Sequence, residues 1–232
     1  MPEDIKSRYH SILDRINTAC KLAGRDPSGI TLVAVSKTKP DSDVLELIDA
    51  GHLHFGENRA KALEDRMASI EDPNVQWHFI GTLQTNKIKF MAQRVNWIQS
   101  VHKKKALEEI EKRAAAENRE INVLIQVNIS EEDQKSGCDP EELETILNTA
   151  QPLAHVKVKG LMGMATLSDN PEIVRPEFRK LRTLRDEHRH MESGSVSLEQ
   201  LSMGMTNDLE VAIEEGATMV RVGTAIFGER NY

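Results

Sequence analysis

The sequence predicts an α/β fold, a single (β/α)8 TIM barrel, and three observations carry that expectation. Eight short apolar runs alternate with charged segments of helical period along the whole chain. No composition break, repeat or low-complexity linker interrupts the alternation, so residues 1–232 read as one domain. A doubly wound open sheet shows the same alternation, and the strand count decides for the barrel.

Taken in order, Asp4 to about Leu22 places Ile5, Tyr9, Ile12, Leu13, Ile16, Ala19 and Cys20 at helical spacing. Gly24 closes this helix, which is expected to cover the bottom of the barrel. Ile30 to Lys37, ITLVAVSK, is a near-continuous apolar run and reads as a fully buried parallel strand. Asp41–Ala50 is a helix, His52–Asn58 a second strand, Arg59–Ile70 a charged helix and Val75–Gly81 a third strand. Asn86–Gln93 is a helix, Trp97–Val101 the fourth strand and Lys104–Glu117, rich in Ala, Glu and Lys, a solvent-facing helix. Asn122–Asn128 is the fifth strand, Glu141–Ala150 a helix and Val156–Met164 the sixth strand. The long charged helix Glu172–Met191 turns Phe178, Leu181 and Leu184 inward. Leu198–Met203, Asp208–Glu215 and Met219–Phe227 supply the seventh strand, a helix and the eighth strand region.

The bulk properties restrict what such a barrel does. With a formal net charge of −7, broad attraction to nucleic acid or to an anionic membrane is not expected. Aliphatic side chains must build the core, because aromatics are only 4% of the chain. Two distant cysteines, Cys20 and Cys138, exclude a disulfide framework or a cysteine zinc site and fit a reducing compartment. MPEDIKSRYH is charged where a signal peptide is apolar, and no apolar run reaches transmembrane length. The expectation is a soluble, cytoplasmic protein.

Parallel α/β folds place ligands at the carboxyl ends of their strands, so the polar residues there are the candidates. Lys37 ends the first strand, where desolvation can turn a lysine into a nucleophilic amine; the bland alternative is a solvated lysine. Asn58 in HFGEN either contacts a ligand or caps the following helix. Thr82, Gln84, Thr85, Asn86 and Lys87 enrich the loop after the third strand, while His78, between Trp77 and Phe79, reads as a buried core histidine. Met162 and Met164 read as core filling, and the acidic loop Asn128–Gly137 carries no assigned chemistry.

SMGMTNDLEVAI, from Ser202 to Ile213, and VRVGTAIFG, from Val220 to Gly228, place Gly204 and Gly223 after the last two strands. Glycine admits close approach of backbone amides to an anion, and barrels often grip phosphate with these two loops; ordinary helix capping is the alternative. When a barrel closes, these loops fall beside Lys37. An amine with a phosphate grip suits pyridoxal 5′-phosphate (PLP), joined to Lys37 as a Schiff base. Arg221, on the same side of its strand as Gly223, meets the ring. An arginine, with a pKa above about 12, holds the ring nitrogen neutral and weakens the electron sink, which favours binding over strong carbanion chemistry.

AVSKTKP, HFGEN, WHFIGTLQTNK, NVLIQVNIS, LSMGMTNDLEVAI and VRVGTAIFGER together resemble the pyridoxal phosphate homeostasis protein family, the YggS/PROSC group, over nearly the whole chain. The resemblance implies a barrel like the N-terminal domain of alanine racemase and the fold-type III PLP enzymes. It also implies PLP on Lys37 with Asn58, Ser202, Gly204, Met205, Arg221, Gly223 and Thr224 as cofactor neighbours, and a role in vitamin B6 balance. The expected function is a PLP carrier or regulator without strong catalysis, serving PLP-dependent apoenzymes, and the expected state is a monomer. A weak PLP-dependent amino-acid racemase is the alternative. Racemisation needs an acid/base on each face of the substrate, yet the only tyrosines, Tyr9 and Tyr232, lie near the termini. A Schiff-base aldolase acting on a sugar phosphate is a third reading; it would normally bring a second lysine or a carboxylate into the barrel interior, and strands two to six offer no clear candidate at a strand end.

Overall fold

The structure, a computed structural model, describes residues 4–130 and 137–229; most of the acidic loop after the fifth strand and Tyr232 lie outside the described residues. Eight parallel strands close into a barrel in sequence order: β1 Thr31–Val35, β2 His54–Glu57, β3 Gln76–Phe79, β4 Trp97–Val101, β5 Ile121–Gln126, β6 Val156–Met162, β7 Val196–Ser202 and β8 Met219–Val222. The helices are α1 Ile5–Leu22, α2 Asp41–Asp49, α3 Ala60–Ser69, α4 Lys104–Ala116, α5 Leu143–Ala150, α6 Pro171–Glu187, α7 Leu209–Glu214 and α8 Thr224–Phe227. Closure is set by the β1–β8 pairing, in which Val33 lies opposite Arg221 and Ala34 opposite Val222.

Strand alternation divides the apolar residues into two cores. Leu32, Ala34, Phe55, Trp77, Val220 and Val222 point outward into the main core beneath the helices. Inside the barrel, Leu124, Met162 and Met219 form a small separate cluster against Trp97. Val33 and Val35 alternate with Leu32 and Ala34 and turn inward as well, and the interior also carries the polar side chains His78, Gln99, Ser202 and Arg221, all buried. Among the described residues, no helix is long and apolar enough to cross a membrane.

Three expectations need correction. The segment Met219–Phe227 is a strand only to Val222; the Gly223 carbonyl then accepts from the amides of Ile226 and Phe227, both at 2.9 Å, and winds the chain into α8. The helix after β3 is a 3₁₀ turn, Thr85–Phe90, without a side-chain cap at Gln84 to start an α-helix. Finally, α1 does not lie under the barrel. It packs beside α2, α7 and α8, with Arg15 paired to Glu210 at 2.7 Å, because the single turn of α8 is too short to cover β8.

Candidate functional site

The carboxyl ends of the strands open into one cavity of about 1240 Å³. Lys37, Asn58, Met205, Arg221, Gly223 and Thr224 all line it, so six of the eight residues singled out in the sequence share one cavity. Ser202 and Gly204 do not line it. Ser202 is fully buried behind Arg221, donating to Gln99 Oε1 and accepting from Arg221 Nη1, both at 2.6 Å. Gly204 sits beneath Met205 at φ +91°, and its carbonyl accepts from the Arg221 amide at 3.0 Å.

Lys37 leaves the barrel on a turn held from three sides. Thr38 takes a left-handed φ of 65°, a strained choice for a β-branched residue, and thereby aims the turn. Arg66 of α3, itself buried, donates to the Lys39 carbonyl at 2.6 Å. Its charge is met by Glu57 at 3.3 Å and Asp41 at 3.7 Å. Burial raises the Glu57 carboxyl, and Arg66 opposes that shift. On the other side, Lys39 Nζ donates to the carbonyls of Phe227, Gly228 and Glu229 at 2.9, 3.0 and 2.8 Å. The turn carrying the candidate amine is therefore tied to the segment that presents Gly223 and Thr224.

Two turns supply free donors to the cavity. Both Ile226 and Phe227 return their amides to Gly223, so the first-turn amides of Thr224 and Ala225 have no intrahelical acceptor. In the turn after β7, Asp208 Oδ1 accepts the Met205 amide at 2.5 Å and leaves Thr206 and Asn207 on the cavity wall. Arg221 forms the floor, its Nη2 donating to the Gly163 carbonyl at 3.0 Å. Burial lowers it to about 10, with Asp208 pulling the other way, so it keeps its charge at neutral pH.

Asn58 caps nothing: it is exposed to the cavity, and α3 begins after Arg59 without a side-chain cap. A close approach behind it explains Gly81, since a Cβ there would lie 2.0 Å from the Asn58 carbonyl oxygen. His78 is the buried core histidine expected, whereas Met164 is half out of the core on the cavity wall. Thr82 reaches the wall too; Thr85 does not. Lys39, Arg66, His102, Lys103 and Gln126 were not singled out from the sequence. The only signal available for Arg66 was its place between Leu63 and Met67, on the inward stripe of α3.

The residues fit PLP: the Lys37 amine at the end of β1, one buried cationic donor at the floor and two amide-bearing turns converge on a single cavity. Comparison with known proteins agrees. The profile of the alanine racemase N-terminal domain family matches residues 10–231. A pyridoxal phosphate homeostasis protein of Aquifex aeolicus is 45% identical over 225 residues, 97% of this chain and 98% of the relative. Its Escherichia coli K12 counterpart is 38% identical over 99% of this chain and 98% of the relative. Among solved structures, PipY of Synechococcus elongatus PCC7942 with PLP bound superposes with a TM-score of 0.84 at 32% identity, covering 97% of this chain and all of PipY. An alanine racemase of Clostridium difficile 630, 12% identical with a TM-score of 0.73, shares the fold over 94% of this chain and 56% of its own. By sequence over its whole length and by its barrel, the chain belongs to the pyridoxal phosphate homeostasis protein family, within the wider family of the alanine racemase N-terminal domain.

Proposed function

We propose that this chain binds PLP at the barrel mouth through Lys37 and acts as a carrier or regulator in PLP homeostasis, with PLP-dependent apoenzymes as recipients. The observation that carries the reading is the convergence of Lys37, Arg221 and the two turns after β7 and β8 on one cavity. The relatives' names and the PLP-bound PipY structure support it. When bound, PLP supplies an electrophilic aldehyde that can pass between amines. Lys37 gives the amine that holds it. Thr224 and Ala225 offer amide hydrogens to the phosphate, with Met205, Thr206 and Asn207 beside them and Gly204 behind. Arg221 donates to the ring nitrogen and does not protonate it, which keeps the ring a weak electron sink. Ser202 serves at one remove, by holding Arg221. Asn58 borders the cavity from the β2 side. The buried free thiols Cys20 and Cys138 suit a reducing cytoplasm, and the open mouth suits a monomer.

The test is borohydride reduction of the PLP-loaded protein, followed by intact mass and peptide mapping. One PLP-sized increment on Lys37, absent from Lys37→Ala, is the expected result. A label mapped to another residue, or none, overturns the assignment.

A further inference from the structure

Beneath the cavity floor, four polar side chains run in single file from Arg221 to the amino-terminal face of the barrel. Arg221 Nη1 donates to Ser202 Oγ at 2.6 Å, and Ser202 Oγ donates to Gln99 Oε1 at 2.6 Å. Gln99 Nε2 lies 2.9 Å from His78 Nδ1, and His78 Nε2 lies 3.1 Å from His54 Nδ1. Ser202, Gln99 and His78 are all fully buried, whereas His54 begins β2 and is only half-buried. His54 does not line the cavity.

The upper end forces the direction of the whole chain. A guanidinium only donates, so Ser202 accepts from Arg221 and gives its single hydrogen to Gln99 Oε1. The Gln99 amide then turns its N–H toward His78, which fixes Nδ1 of that ring as an acceptor. The His78 hydrogen sits on Nε2 and points at His54 Nδ1, also an acceptor. Both rings must be neutral, and burial lowers both below the ordinary histidine value. Trp97, stacked on His78 at 5.6 Å between centroids, holds that ring in plane.

Resting on the reading of Arg221 as the cofactor ring's partner, we infer that His54, His78, Gln99 and Ser202 are positioning residues that aim Arg221 into the cavity. Through them, a histidine on the opposite face of the barrel controls the hydrogen bond offered to the ring. The coupling follows from the reversed arrangement. If His78 moves its hydrogen to Nδ1, Gln99 must rotate its amide and offer N–H to Ser202. Ser202 then accepts twice, and its own hydrogen has no partner in a buried site. Arg221 loses the ordered acceptor that holds it. An acceptor at position 54 is what disfavours this arrangement.

The experiment has two arms. In the first, ¹⁵N NMR of the wild-type protein before PLP is added reads the tautomers: both His54 and His78 should carry hydrogen on Nε2. A His78 protonated on Nδ1 overturns the inference. In the second, PLP affinity and the absorption maximum of the lysine-bound cofactor are compared for wild type, His54→Leu, His54→Gln and Gln99→Met. Gln99→Met should weaken binding about tenfold, as expected for a charged donor that loses its ordered acceptor. His54→Leu should weaken it severalfold and shift the absorption maximum, and His54→Gln, which restores an acceptor oxygen, should recover most of both. If His54→Leu lowers the melting temperature but leaves affinity and spectrum at wild-type values, the chain is only packing and the inference fails. Should Gln99→Met not fold, the tautomers and the His54 pair still decide. Borohydride labelling of the wild type separates the two readings: an unlabelled Lys37 rejects the PLP site and this inference with it. A labelled Lys37 with unresponsive His54 variants rejects the chain alone.

Discussion

Gly204→Ala probes the turn behind the β7 side of the cavity with one methyl group. At φ +91° an L-residue is strained, by about 1–2 kcal/mol for alanine. Its Cβ would lie 2.5 Å from Ala212 Cβ, with Leu209 Cα at 3.4 Å and Val220 Cγ1 at 3.5 Å. Ala212 is a fully buried residue of α7 and its methyl cannot swing away, so overpacking adds roughly 1–3 kcal/mol. The expected loss is about 3 kcal/mol, near two orders of magnitude in the folding equilibrium. Ala212→Gly isolates the clash. Alone it costs about 2 kcal/mol, from helix propensity and a lost buried methyl. Combined with Gly204→Ala it removes the close contact, so the double variant should be at least about 1 kcal/mol more stable than additivity allows. Urea denaturation of the four apoproteins measures the cycle. PLP titration should show Gly204→Ala weakened as well, because the Gly204 carbonyl holds the Arg221 amide. Additive energies, or a Gly204→Ala loss below about 1 kcal/mol, would refute the geometry argued for this turn.

Lys39→Met removes three charge-assisted bonds to the carbonyls after α8 and should cost about 1–2 kcal/mol on this half-buried group. PLP affinity should fall with it, since the Lys37 turn and the Thr224 turn lose their tie; unchanged affinity in a dialysis assay would deny that coupling. Thr38→Gly should stabilise by roughly 0.5–1 kcal/mol, as relief of the left-handed φ of 65° exceeds the added chain entropy. A lower urea midpoint would contradict it. Acid should destabilise the fold through its buried histidines. Burial pushes His52 down to about 4 and His78 well below 6.5, so the unfolded chain binds these protons first. Their stabilisation is complete above about pH 6.5 and is lost as pH falls toward 4, with His52 alone contributing about 3 kcal/mol. A denaturation midpoint that stays level from pH 7 to 4.5 would show these rings are not held neutral.

The barrel was legible because burial on both faces leaves a strand no choice but a continuous apolar run, as in Leu32–Val35 and Val123–Ile125. The mouth was legible for a related reason: residues that follow such runs must stand at one rim, which is where Lys37, Asn58, Gly223 and Thr224 are found. Two things were hidden. Contacts between distant segments, such as Lys39 with Phe227 and Arg66 with Glu57, leave no local pattern. The depth of a polar residue is also unwritten: Ser202 and Arg221 both end up inside the barrel, yet Arg221 reaches the cavity while Ser202 lies behind it. Gln99, the central residue of WIQSV, had the same ambiguity, and only closure of the barrel placed it between His78 and Ser202.

That hidden interior bears on holding against turnover. A racemase needs a proton donor and acceptor on both faces of the substrate carbon. Of the two tyrosines, Tyr9 is buried on α1 against His52, away from the cavity, and Tyr232 lies outside the described residues. The polar groups within the barrel instead bond to one another in a chain that starts at Arg221 and passes its donors away from the mouth. On the proposed function, Arg221, which stays charged and only donates, would stabilise a neutral ring nitrogen, and a neutral ring would draw electrons poorly from a bound amino acid. On the same proposal, a linkage at Lys37 would stand open to exchange with another amine, since partly exposed Met164 and Met205 line the cavity with it. A firm grip on the phosphate, a muted ring and an accessible amine are together what the proposed custody of a reactive aldehyde would require.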